Sequence, residues 1–343
     1  MGKLTDFVDT TLANFWDAPL WLDVTIAAFI GGLIVFTTVL GIGGCFTFAF
    51  RRIFARMGNR SGPNRVGPQG IAQFLADGLK LIGKEDIKPA RADALTWRAA
   101  AYVAVIPTVI AWSPLPWSEE LIFTNVAYSM LVIFAFSAIA PLGEIMAGWG
   151  SNNKYALYGG VRAAALDVSY EIPMTFALAS VVLMTGSTNT QDIVMSQEGL
   201  WNIVPQIIGF GIFFIAALAK AGLAPTDLAE SESELVAGFT TEFSGMRFGM
   251  FFVVLFSNVF FISALMTMLY LGGWQALPGL GFIPGFLWFF AKSLFMCFIV
   301  FWVWSSLPRV RVDTYLGVAW KVMLPVSLFN FILTATLVKL EVL

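Results

Sequence analysis

A chain of 343 residues that is 58 % hydrophobic, with 33 Phe, 12 Trp and a mean hydropathy of +0.79, reads as a polytopic membrane protein rather than a soluble globule. It has no histidine and only two cysteines, Cys45 and Cys297, each inside an apolar run; histidine-held haem, histidine-based zinc and cysteine-held iron–sulfur clusters are therefore excluded. The net charge of −2 decides little, but the distribution of charge is informative.

Apolar windows of about twenty residues predict an all-α polytopic membrane protein with eight transmembrane helices. They lie near 22–50, 99–117, 125–148, 163–186, 201–221, 247–271, 284–306 and 317–340 of a single membrane domain, 1–343. No signal peptide is expected, because the first apolar run lacks a basic leader and a small-residue cleavage site and is too long for one. No internal repeat, low-complexity tract or soluble domain stands out.

The loop after span one, 51–98, holds ten basic residues, and the loops after spans three, five and seven add seven more. Seventeen of the 20 Lys and Arg thus fall on one side, while the loops near 116–124, 187–200 and 272–283 hold none. The positive-inside rule makes the basic side cytoplasmic in a multi-pass protein of the cell membrane, with both termini outside. Within the first basic loop, 68–83 predicts an amphipathic helix on the cytoplasmic surface. Ile71, Phe74, Leu75, Leu79 and Ile82 recur there at three- and four-residue steps, with Asp77, Lys80 and Lys84 between them. Arg51 and Arg52 close span one beside it, leaving room for a lipid-like substrate between this corner and the next charged loop.

That loop, 222–246, is acidic. Asp227, Glu230, Glu232, Glu234 and Glu242 fall within sixteen residues of a chain that is only 12 % charged. Crowded carboxylates raise one another's proton affinity, which suits proton collection or the sensing of a nearby charge; a merely solvated loop is the plainer alternative. Three spans also contain charges: Glu144 late in span three, Asp167 and Glu171 on one face of span four, and Lys292 in span seven. Each costs roughly 2.5–3.5 kcal/mol at bilayer depth on insertion scales, so each points to proton relay or to a structural ion pair, such as Lys292 with Glu144 or Asp167.

The chain carries Gly62-Pro63-Asn64-Arg65-Val66-Gly67-Pro68, Ala76-Asp77-Gly78-Leu79-Lys80 with Lys84-Glu85-Asp86, and Gly148-Trp149-Gly150-Ser151-Asn152-Asn153-Lys154-Tyr155. Further on stand Arg162, Ser169-Tyr170-Glu171, the acidic loop, and Pro308-Arg309-Val310-Arg311-Val312-Asp313. Over nearly its whole length it resembles the membrane H-subunit family of complex I-like oxidoreductases, including photosynthetic complex I and archaeal deazaflavin-dependent dehydrogenases. The resemblance implies a subunit that shapes a quinone or methanophenazine chamber, with Arg51, Arg52 and Asp77 at the carrier's binding region. It implies proton coupling through Glu171, Asp227, Glu230, Glu232, Glu234 and Glu242, and the charges inside the spans add Glu144 and Asp167 as further proton-coupling candidates. No residue would be a catalyst and no cofactor would be held by this chain. Iron–sulfur clusters would lie in peripheral-arm and hydrogenase-like partner subunits, beside other membrane-arm subunits, membrane lipid and the lipid-soluble carrier, with no role for nucleic acid.

Several positions depart from the family pattern. Phe50, Ala138, Lys220 and Leu255 stand where carboxylates are usual and Leu223 replaces an arginine, whereas Glu144 and Asp167 are charged where relatives are usually not. The expectation is a relocated proton path through Glu144, Asp167 and Glu171. The runs at 140–143 and 307–313 lean towards photosynthetic and archaeal relatives, hence towards reduced deazaflavin or ferredoxin rather than NADH as donor. A membrane-bound hydrogenase subunit without diffusible quinone, or an independent transporter, are the alternative readings.

Overall fold

The computed structural model describes residues 20–229, 231–277, 279 and 281–340, and among these it is an all-α polytopic membrane protein. Among the described residues, seven helices are long and apolar enough to cross a membrane. They are α1 (Leu20–Met57), α3 (Ala94–Trp112), α4 (Ser129–Gly150), α5 (Lys154–Thr185), α9 (Gly245–Tyr270), α10 (Gly285–Ser306), and the pair α11 (Val312–Val318) and α12 (Leu324–Lys339), joined by a π-turn at Ala319–Met323. Between them lie α2 (Gln73–Gly83), α6 (Thr190–Met195), α7 (Ile207–Lys220) and α8 (Glu232–Leu235).

α9 is the axis. From Val259 to Tyr270 every residue is buried, so this stretch is apolar all round and sits at the bundle centre. Trp112 at the end of α3 stacks on Phe260 and Phe261, and Trp117 stacks on Phe260 and meets Phe289 of α10 edge-on, filling the half of the bundle remote from the basic loops.

Helix starts follow local chemistry. Asn153 caps α5 by accepting from Tyr155 N at 3.0 Å. Asp93 caps α3, accepting from Leu95 N at 3.3 Å and from the Thr96 hydroxyl, and the hydroxyl bond holds its carboxyl below the usual carboxylate range. That cap therefore persists through mild acidification and fails only as the pH drops through the lowered value.

The expected fifth span departs from its window. Instead of a helix over 201–221 there is the 14-residue α7, about 21 Å long and short of a bilayer core of about 30 Å. The residues before it turn back under the end of α9, where the Asn202 side chain donates to Leu269 O at 3.0 Å and Ile203 N donates to Tyr270 O at 3.0 Å. Irregular backbone at this depth is tolerable because it is satisfied by protein.

Lys292 corrects a second expectation. Its ammonium does not meet Glu144 or Asp167. It donates to the carbonyls of Leu271 (2.7 Å), Gln275 (2.8 Å) and Gly273 (3.2 Å), and lies 4.2 Å from the centre of the Trp201 ring. It thereby neutralises the carbonyl-bearing C-terminal end of α9. Lys292→Met is expected to keep the bulk and lose the capping charge, lowering stability by about 2 kcal/mol. Thermal unfolding of the purified assembly would show it as a drop in Tm; an unchanged Tm would mean water replaces the ammonium at no cost.

Candidate functional site

On the side of the basic loops, a cavity of about 70 Å³ lies among α3, α4, α5, α9 and the chain that leaves α7. Its walls are largely apolar, and its polar lining includes Glu144, Asp167, Tyr170, Lys220 and Asp227. The volume holds a few waters but falls well short of the roughly 300 Å³ at which drug-sized ligand pockets begin. It suits protons and water, not a ring-sized ligand.

The positions of these side chains follow from the helices. Asp167 and Tyr170 are three apart on α5, so they share a face, and the Tyr170 hydroxyl donates to Asp167 Oδ1. Lys220 ends α7 and reaches between two helices, where its Nζ donates to Glu171 Oε1 at 2.9 Å and approaches Ser137 O at 3.5 Å. That carbonyl is available because Pro141, four residues on, has no N–H to return to it. The Lys220 side chain is 7 % exposed and that of Glu171 25 %. Lys220 lines the cavity and Glu171 does not, so the ion pair links the cavity to a carboxylate outside its lining.

The acidic loop is clamped from three directions. Arg309, in the link before α11, donates to Asp227 Oδ2 at 2.9 Å and to Ser231 Oγ at 3.1 Å. Arg162 of α5 pairs with Glu234, and Asn153 Nδ2 donates to Glu242 Oε1 at 2.7 Å. Of the expected loop acids, Asp227 faces the cavity while Glu234 and Glu242 are held against α5 and its cap. Glu230 and the side chain of Glu232 lie outside the described residues.

Arg51, Arg52 and Asp77 form a separate corner. Arg51 Nη1 meets Asp77 Oδ2 at 2.6 Å, Gln73 Nε2 donates to Asp77 Oδ1 at 3.1 Å, and Arg52 Nη1 donates to Gln69 O at 2.9 Å. These bonds fasten α2 and the turn before it to α1. The outer stripe of α2, Leu75, Leu79 and Ile82, stays exposed. None of the three candidates lines the cavity, so the structure separates them from Glu144, Asp167 and Asp227.

Sequence reasoning marked Lys220 only as a departure and gave Arg309 no partner. The Asp167–Tyr170 contact was open to discovery from its three-residue spacing. Lys220–Glu171 and Arg309–Asp227 join positions 49 and 82 apart, and nothing local signals them.

A family model described as NADH dehydrogenase matches residues 30–335. Among the similar relatives, the H subunit of NADH-quinone oxidoreductase from Brevibacillus brevis is 43 % identical over 330 residues, covering 96 % of each chain. The proteins of the same description from Geobacillus thermodenitrificans and Rhodospirillum centenum are each 41 % identical over 324 residues. They cover 94 % and 93 % of this chain, and 97 % and 96 % of their own.

Proposed function

This chain belongs to the NADH dehydrogenase family, as the H subunit of complex I, and from that premise we propose that it couples quinone reduction to proton movement through the acid-lined cavity. The names of its relatives favour quinone over methanophenazine as acceptor, and NADH over reduced deazaflavin or ferredoxin as the ultimate donor. In this reading the basic side faces the cytoplasm, both termini lie outside, and the chain is one membrane domain. Arg51, Arg52 and Asp77 set the α1–α2 corner at the quinone's approach, and the chamber is completed by peripheral iron–sulfur subunits. The electrons come from a partner's cluster; this chain supplies charge and protons.

The cavity supports the reading by what lines it: Glu144, Asp167 and Asp227 together with Lys220, among largely apolar walls. Charges in such surroundings interact strongly, since little water screens them. A negative charge arriving at the loop, where Arg309 holds Asp227, changes the field on Lys220, whose ammonium chooses between Glu171 and the cavity acids. Glu230, Glu232, Glu234 and Glu242 transmit the arrival by shifting the loop. A proton taken up by the cavity then balances the charge. Reconstituted complexes carrying Asp167→Asn or Glu144→Gln are expected to keep electron transfer and lose proton translocation, read as acidification of the vesicle interior per electron passed. Unchanged pumping in both variants would overturn the proposal.

A further inference from the structure

The wall that α9 gives the cavity is a single helical stripe. Phe251, Val254, Leu255 and Asn258 line it at the three- and four-residue steps of one helix face. The neighbouring faces are occupied. Phe256 packs on Phe50 of α1, and a Cβ built at Gly43 of α1 would stand 3.2 Å from Val253 Cγ1 and 3.6 Å from Ser257 Cβ. Asn258 is therefore turned into the cavity. It is the one polar side chain of its stripe, half-buried, and it makes no hydrogen bond to any described residue. Its depth follows from the helix that carries it. At 1.5 Å per residue from Gly245, it lies about 20 Å along α9, deeper than Ala229 and Phe239, the loop residues that line the cavity nearer the basic side. Beyond it every residue from Val259 to Tyr270 is buried, so the wall on α9 ends at this amide.

A carboxamide in an apolar bundle is costly unless something bonds it, and no described group does. A cavity with room for a few waters keeps them only where polar groups supply each with partners, and largely apolar walls supply few. We propose that the Asn258 carboxamide binds the innermost water of the cavity, and that Asn258 is thereby a positioning residue for the proton the cavity takes up. Its Oδ1 accepts and its Nδ2 donates, so a water can bond to it in either orientation. The amide itself neither takes nor gives a proton near neutral pH. A carboxylate at the same depth would hold the proton; the amide holds only the water that carries it. Storage of the proton stays with the cavity acids, Glu144 and Asp167. The inference rests on the coupling role given to the cavity above.

The assembled complex, reconstituted in vesicles, carries the test. Asn258→Leu keeps the branched shape and removes both polar atoms, and Asn258→Ser returns one group that can donate and accept. A density map of the parent complex at water-resolving detail should place a solvent peak bonded to the carboxamide, and the peak should vanish in Asn258→Leu. Coupled proton translocation should slow about fivefold in Asn258→Leu, the worth of one hydrogen bond, and recover most of its rate in Asn258→Ser. Uncoupled electron transfer should be preserved in both. A packing role alone would not give that recovery, since the serine side chain fills less of the space. A parent map with no peak, parental pumping in Asn258→Leu, or equal losses in Asn258→Leu and Asn258→Ser would each overturn the inference. If Asp167→Asn and Glu144→Gln stop pumping while Asn258→Leu pumps like the parent, this inference alone fails. If both acid variants pump like the parent, the coupling role of the cavity fails and takes the role of Asn258 with it, whatever the map shows.

Discussion

Lys220→Met is expected to destabilise the protein by about 3 kcal/mol, the lower end of the range for breaking a buried ion pair. The lower end applies because the Glu171 side chain retains 25 % exposure while that of Lys220 has only 7 %. The loss has two parts. Glu171 Oε1 loses its 2.9 Å donor, and the Ser137 carbonyl, set free by Pro141, loses the cation facing it. The double variant Lys220→Met/Glu171→Gln removes both charges and leaves an amide against a thioether. It is expected to recover most of the loss, since a neutral pair needs far less compensation in an apolar bundle. Thermal unfolding of parent, two single variants and double variant makes the cycle. Strictly additive losses would show that the two groups do not interact. Function should not follow stability here. The double variant is expected to fold, pass electrons and fail to pump, because the charge poised between Glu171 and the cavity is gone. A pumping double variant would make the pair a structural tie only.

The same pair shows where sequence reading succeeds and where it stops. Composition, span-length windows and the one-sided distribution of Lys and Arg each report an average over many residues, and averages survive local error. Membrane class, all-α architecture and the amphipathic character of α2 were therefore legible. So was the presence of Glu144, Asp167 and Glu171 in apolar helices. What each charge touches is a property of packing. Lys292 and Lys220 look alike in sequence, single lysines in or at the end of an apolar run, yet one caps backbone carbonyls at the end of α9 and the other meets a carboxylate. The difference comes from helix crossings, which bring residue 271 to one and residue 171 to the other. The shortening of α7 was hidden for a related reason. The hydropathy of 201–221 continues through the turn, and only Asn202 and Gln206, polar residues that the bundle satisfies internally, hinted that the helix starts late. Lys220 was legible as a lone cation at the end of an apolar run; that Glu171 is its counter-charge needed the fold.

Gly159→Ala is the substitution expected to separate the loop from the cavity it covers. A Cβ built at Gly159 of α5 would stand 2.5 Å from Phe239 N and 2.7 Å from both Gly238 Cα and Gly238 C. All three are backbone atoms of the turn Gly238–Thr240, so no side chain can swing aside to make room. One methyl group must push this turn off α5, and overpacking of this kind typically costs about 1–3 kcal/mol. Because the obstacle is backbone, about 2–3 kcal/mol is expected here. Phe239, 4 % exposed and part of the cavity wall, moves with the turn, and the Arg162–Glu234 clamp beside it is stretched. Gly211→Ala in α7 is the control, since a Cβ there meets nothing within 4 Å and a helical Ala should help by a few tenths of a kcal/mol up to about 1. The contrast should appear in two measurements, Tm and protons translocated per electron. Gly211→Ala should hold or raise the first and leave the second alone, whereas Gly159→Ala should lower both. A Gly159→Ala complex that loses stability but pumps at the parent ratio would mean that the position of the loop does not govern the cavity. Coupling would then have to reach the acids through the helices alone.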